Sequence, residues 1–193
     1  MKTICVYSAS SDVIPAEYMD VASDLGRQMA RRGYTLIYGG GAIGLMGAVA
    51  RAVHDEGGTV VGVIPEFMLD WGVAYENSDE LIVTRDMRER KATMESMSDA
   101  FIALPGGFGT LEEMLEIITL KQLGRHSKPI AFLNALGFYD CLHSTFEHMY
   151  AERFAKPEYR DLYRFSPDAA DVLWYVETYQ PTEQPGKLFQ RNG

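Results

Sequence analysis

A chain of 193 residues with 47% hydrophobic content is long enough for one domain with a substantial core. Asp and Glu outnumber Lys and Arg by 27 to 18, a formal charge of -9. That argues against broad nucleic-acid binding, which needs a basic footprint. No run reads as a secretory leader or a membrane span, so the cytoplasm is the expected location. No His, Cys, Asp or Glu cluster has metal-ligand spacing.

The first buried strand is expected at Thr3 to Tyr7, followed by a polar loop, Ser8 to Ile14. Pro15 suits a helix start, and the helix runs to about Arg32, where Gly33 stops it. Tyr34 to Tyr38 is the second strand. Gly39-Gly40-Gly41 and Gly44-Leu45-Met46-Gly47 then lead into a helix ending near Glu56. Thr59 to Ile64 is the third strand. The segment Pro65 to Asp79, with Trp71 and Tyr75, is expected to be irregular and to serve as a lid or substrate wall. Glu80 to Val83 is a fourth strand and Asp86 to Met97 a helix. Asp99 to Leu104 is the central strand, feeding a helix that continues to about Leu123. Pro129 to Leu133, Gly137 to Arg153, Leu162 to Phe165 and Pro167 to Tyr179 complete the alternation as strand, helix, strand and helix.

Strands alternating with helices predict a doubly wound parallel sheet, a Rossmann-like three-layer α/β/α fold. Residues 1–179 form one nucleotide-binding catalytic domain, and 180–193 a polar tail in which only Leu188 to Phe189 could be fixed. Cys5 and Cys141 both sit in apolar contexts and read as reduced core residues. Trp174 and Tyr175 read as docking the last helix. His143 and His148 read as surface or interface residues.

Ligands in such folds bind beyond the carboxyl ends of the strands. Four loops belong at that edge: Ser8 to Ser11, Gly39 to Gly44, Thr84 to Asp86, and Pro105 to Thr110. The richest is Pro105-Gly106-Gly107-Phe108-Gly109-Thr110-Leu111-Glu112-Glu113. Its glycines permit close backbone approach, and the helix it opens aims free N–H groups and a positive dipole end at an anion. Glu113 lies one turn into that helix, where the dipole is expected to keep it ionised. Glu112 and Glu116 form an i,i+4 pair on a different face. Asp86-Met87-Arg88-Glu89-Arg90-Lys91 places basic groups at another helix start, where guanidinium suits bidentate contact with an anion. The Gly39 run alone is equally consistent with a tight strand-to-helix turn. No P-loop ending in Lys-Ser or Lys-Thr is present.

Together the Tyr38-Gly39-Gly40-Gly41 run with Gly44-Leu45-Met46-Gly47, the Arg90-Lys91 pair and the Pro105 to Glu113 motif resemble the LONELY GUY family over roughly Ile4 to Tyr179. These are cytokinin riboside 5'-monophosphate phosphoribohydrolases, often mislabelled lysine decarboxylases. The resemblance implies hydrolysis of the N-glycosidic bond of N6-modified adenosine 5'-monophosphates and AMP, giving free base and ribose 5-phosphate. It implies a homodimer with active sites near the subunit interface, and no metal or redox cofactor. Arg90 and Glu113 match the catalytic pair. Gly107, Gly109 and Thr110 match the phosphate-binding loop, and Pro105, Gly106 and Phe108 beside them join the substrate-binding set. Gly40, Gly41 and Met46 match the loop that embraces the nucleotide, and Ser8 or Ser10 falls near ribose phosphate or base. Met87, Arg88 and Lys91 complete the set. Arg88 stands where many members have His, a departure that bears on substrate preference.

Glu113 would then stabilise positive charge on the ribose and orient or deprotonate water, while Arg90 clamps the nucleotide. Arginine is a poor proton donor at neutral pH, so protonation of the leaving base stays unassigned. Trp71, Met87, Met94, Met97 and Phe108 are candidates for an apolar base pocket, with ordinary core packing as the other reading for each Met. Met114 and Leu115 fit helix packing or a dimer surface. Two other functions fit the same motifs: a general nucleoside-monophosphate nucleosidase, and a non-catalytic carrier of a phosphorylated cofactor. Amino-acid decarboxylation is the weakest, since nothing resembles a pyridoxal-phosphate lysine site.

Overall fold

The computed structural model describes residues 2–181; the expectation for Leu188 to Phe189 lies outside them. Apolar, β-branched runs form seven parallel strands: β1 (Thr3–Tyr7), β2 (Thr35–Tyr38), β3 (Val60–Pro65), β4 (Glu80–Thr84), β5 (Ala100–Ala103), β6 (Ile130–Leu133) and β7 (Arg164–Ser166). They lie in the order β4-β3-β2-β1-β5-β6-β7. Central β1 pairs Val6 with Tyr38 on one side and with Ile102 on the other. The topological switch therefore falls at β1, and every strand presents its carboxyl end to the same edge.

Alternation along β1 feeds two cores. Ile4 and Val6 face a layer with Leu25, Met29, Val49 and Val53, from α1 (Ala16–Arg31) and α2 (Gly44–Asp55), closed by α7 (Ala169–Thr178). Cys5 and Tyr7 face the opposite layer with Met94, Met114, Ile117 and Phe146. These come from α4 (Met87–Met97), α5 (Phe108–Gln122) and α6 (Asp140–Ala151). The short α3 (Glu66–Leu69) follows β3. The result is the expected α/β/α sandwich with a sheet buried on both faces. Among the described residues, no helix is long and apolar enough to cross a membrane.

Several local expectations need correction. The Pro65 to Asp79 segment is not wholly irregular. Pro65 ends β3, α3 follows, and Ala74 forms an antiparallel bridge to Gly41. This strap is fastened further by Ala42 N–H to Val73 O at 2.8 Å and Tyr75 N–H to Gly40 O at 2.8 Å. The helix expected from Gly137 begins only at Asp140, because Leu136 takes a left-handed φ of 53° in a 3-10 turn. Asn134 stabilises that break, donating to Asp140 and accepting from Tyr139 N–H. The last strand starts at Arg164, as Pro157–Leu162 coils into a second 3-10 turn. Cys5 is buried, but Cys141 is exposed on α6. Trp174 is more than half exposed on α7, whose buried residues are Ala169, Val172, Leu173 and Val176.

Candidate active site

A cavity of about 460 Å³ opens at the carboxyl edge over β3, β2, β1 and β5. Each wall comes from a loop the topology delivers there. At the β5 end, Gly107 is the N-cap of α5 and no side chain caps that helix. Its first-turn N–H groups therefore lack intrahelical acceptors and face a cavity lined by Gly107, Phe108, Gly109 and Thr110. This is an anion-binding geometry.

Arg90 and Glu113 meet at the cavity floor. Asp86 starts α4 by accepting from the N–H groups of Arg88 at 2.8 Å and Glu89 at 2.9 Å, which is side-chain capping of the helix. Its carboxylate is held below the usual range, first by the Glu89 N–H and with help from that of Arg88, against the opposing effect of desolvation. One turn later Arg90 projects inward, 5% exposed. Its Nε–H donates to Val63 O at 3.0 Å and its Nη1–H to Glu113 Oε1 at 2.7 Å. Glu113 is 6% exposed.

The helix start is not the only influence on Glu113, which the dipole was expected to keep ionised. Burial pushes its pKa up and outweighs the lowering influence of Arg90, which acts by charge and hydrogen bond. One turn into α5, at a water-poor position, desolvation is the largest influence on the carboxyl. Beneath the pair lie Tyr7 and Cys5, both with raised pKa values from burial, Cys5 to about 12.

Ser8 and Ser10 line the cavity from the loop after β1, Gly41 from the β2 loop and Met46 from the first turn of α2. Gly40 takes a φ of +75° and turns the backbone behind that wall, accepting from Tyr75. Pro105 and Gly106 support rather than line it. Pro105 O accepts from Ala9 N–H at 3.1 Å, joining the β1 and β5 loops, and Gly106 packs against the Thr110 side chain.

Arg88 and Lys91 lie elsewhere, along a smaller cavity of about 320 Å³ between α4 and α5 that Glu113 also touches. Lys91 Nζ bonds Glu112 at 2.5 Å and Glu116 at 2.7 Å, which raises its pKa. The i,i+4 glutamates thus grip one lysine across two helices.

The apolar wall contains Met87, Trp71 and Phe108, as expected. Met94 and Met97 do not reach it: Met94 is fully buried in the core and Met97 packs beside it. Met114 is likewise core, while Leu115 is exposed. Tyr75 faces away from the cavity, its hydroxyl 3.1 Å from His54 Nδ1, whose Nε2 lies 3.0 Å from Asp79.

Sequence reasoning brought the segments holding Gly39, Ile43, Met68 and Val73 to this edge without naming those residues, and missed Ile64 in the lining altogether. Met68 and Trp71 share an i,i+3 spacing, a signal that could have found Met68. Gly39 has a steric role that no local pattern announces. A Cβ there would lie 2.2 Å from Arg90 Nη2, so only glycine lets the guanidinium take its place.

A family model described as "Possible lysine decarboxylase" matches residues 46–176. A cytokinin riboside 5'-monophosphate phosphoribohydrolase of Arabidopsis thaliana is 44% identical over 180 residues, 93% of this chain and 79% of that one. One from Oryza sativa subsp. japonica is 45% identical over 188 residues, 97% and 78% of the two chains. Among solved structures, the Moco carrier protein of Chlamydomonas reinhardtii superposes with a TM-score of 0.68. It is 21% identical, over 91% of this chain and 95% of that one, a likeness of fold.

Proposed function

The chain belongs to the family of cytokinin riboside 5'-monophosphate phosphoribohydrolases, and from that premise we propose how its cavity works. The protein hydrolyses the N-glycosidic bond of N6-modified adenosine 5'-monophosphates, and of AMP, releasing free base and ribose 5-phosphate. The observation that carries this reading is the buried Arg90–Glu113 pair, 2.7 Å apart, in a cavity that also holds an uncapped helix N-terminus.

The 5'-phosphate sits on the first turn of α5 at Gly107 to Thr110, supplying binding energy remote from the bond that breaks. The base lies toward Ile64, Met68, Trp71 and Met87, on the β3 side. The ribose between them lies over Glu113. As the bond to the base lengthens, positive charge grows on the sugar and the Glu113 carboxylate stabilises it. Its raised pKa also makes Glu113 a stronger acceptor for the proton of an attacking water. Arg90 holds that carboxylate in place and offers positive charge to the departing base.

The decarboxylase description is not followed. A pyridoxal-phosphate reaction needs a lysine in the cavity, and no lysine lines it among the described residues. Lys91 is committed to Glu112 and Glu116.

The reading includes a homodimer in the cytoplasm with no nucleic-acid partner. Phe108 is 94% exposed and Trp71 63% exposed at the cavity mouth, which supports apolar contact there with substrate or a second copy. The charge of -9 supports exclusion of nucleic acid. Incubation with AMP and with isopentenyladenosine monophosphate, following free base and ribose 5-phosphate, tests the reading. Release is expected from both, faster from the prenylated nucleotide. Preference for AMP would move the protein to general nucleotide salvage, and no release from either would overturn the hydrolase reading.

A further inference from the structure

Ser8 closes β1 and is 3% exposed. Its Oγ is buried and has no hydrogen-bond partner, yet the residue lines the cavity that holds Arg90 and Glu113. A buried hydroxyl without a partner costs stability, so its position calls for a ligand atom that completes it.

The sheet order says which atom. The anion-binding first turn of α5 follows β5, and the apolar wall, with Ile64 and Met68, stands beyond β3. β1 lies between them, beside β2. A nucleoside monophosphate spanning the cavity, phosphate on α5 and base on the apolar wall, puts its sugar over the end of β1. Ser8 is further fixed there because its neighbour Ala9 is tied to both flanking loops, donating to Pro105 O at 3.1 Å and accepting from Met46 N–H at 3.3 Å.

We infer that Ser8 Oγ recognises a ring hydroxyl of the ribose, at the 2′ or 3′ position, and makes the site selective for ribonucleotides. This rests on the hydrolase reading above and adds the sugar to it. A site built to bond a hydroxyl rejects the analogue that lacks it, because the protein group is again left unpaired.

The test follows turnover of whichever ribonucleotide, AMP or its N6-isopentenyl form, the wild type cleaves faster. AMP, 2′-deoxy-AMP and 3′-deoxy-AMP are then measured as competitors, with wild type and Ser8→Ala. The substitution is expected to weaken AMP about tenfold and to leave unchanged the deoxynucleotide that lacks the recognised hydroxyl. Which deoxynucleotide is spared tells the 2′ from the 3′ contact. The thermal midpoint should stay level or rise, since the lost hydroxyl bonds nothing in the free protein. Equal weakening of all three competitors, unchanged AMP binding, or a clear fall in thermal midpoint would overturn the inference while leaving the hydrolase intact. No turnover of either nucleotide by wild type would overturn the hydrolase reading and the inference with it.

Discussion

Burial and ion pairing pull the Glu113 carboxyl in opposite directions, and burial wins. The sign for stability follows. A carboxyl whose folded pKa is raised binds its proton more tightly in the native state than in the unfolded one. Its contribution is therefore fully present below the ordinary value of 4.5 and is lost as pH rises through the folded value. The stability of wild type relative to Glu113→Gln should accordingly fall as pH rises across that window, a difference that denaturant melts at several pH values would read. Glu113→Gln should also lower kcat by about 100-fold or more, as loss of a positioned base or charge stabiliser does. Arg90→Ala should cost activity similarly and about 3–5 kcal/mol of stability as well, since it leaves a buried carboxylate unpaired. Size-exclusion chromatography should find both variants in the wild-type assembly state. The family resemblance marked these two residues, but their meeting across 23 positions depends on the order of strands, which no local pattern carries. The upward shift of Glu113 was not legible for the same reason. The dipole can be read from helix position, whereas desolvation depends on what packs above it.

Each loop at the sheet edge does a separate task, and the β2 loop does two. Gly40 turns the chain, and Gly39 leaves room for Arg90. Gly39→Ala would place a methyl 2.2 Å from Arg90 Nη2, and the guanidinium must move. Because the Nε bond to Val63 O and the Nη1 bond to Glu113 share that rigid group, displacement loosens both. A shift of about 1 Å at a reacting group costs on the order of 100-fold in rate. Gly39→Ala should thus lower kcat by that order while far-ultraviolet circular dichroism stays that of wild type; wild-type kcat would show that the guanidinium has another place to go. The elements themselves were legible. The helix stopped by Gly33 and the one ending near Glu56 appear within a residue or two of expectation, as do the strands after them. The failures came where a side chain, not the backbone pattern, sets the boundary, as Asn134 does before α6. They also came where a second segment supplies the order, as Gly41 does for the strap at Ala74.

Across the whole molecule, the strap between β3 and β4 is the part of the cavity least constrained by the core. Its inner end is pinned to the β2 loop by backbone bonds and to α2 through Tyr75 and His54. Its outer end carries Phe67 and Trp71, whose rings pack edge to face at 5.4 Å while both remain largely exposed. Trp71, which lines the cavity and is held edge to face by Phe67, offers its ring atoms as apolar surface to a substituent on the base. Plain AMP has no group to meet them. Trp71→Ala should therefore lower kcat/KM for isopentenyladenosine monophosphate by about 10- to 100-fold, the range for losing one apolar pocket contact, and should change AMP turnover little. Stability should hold, because a side chain 63% exposed contributes little burial to lose. The ratio of the two kcat/KM values, measured on wild type and variant side by side, separates this from a general defect: a parallel fall on both nucleotides would mean that Trp71 shapes the cavity as a whole, and no fall on either would place the substituent elsewhere on the edge.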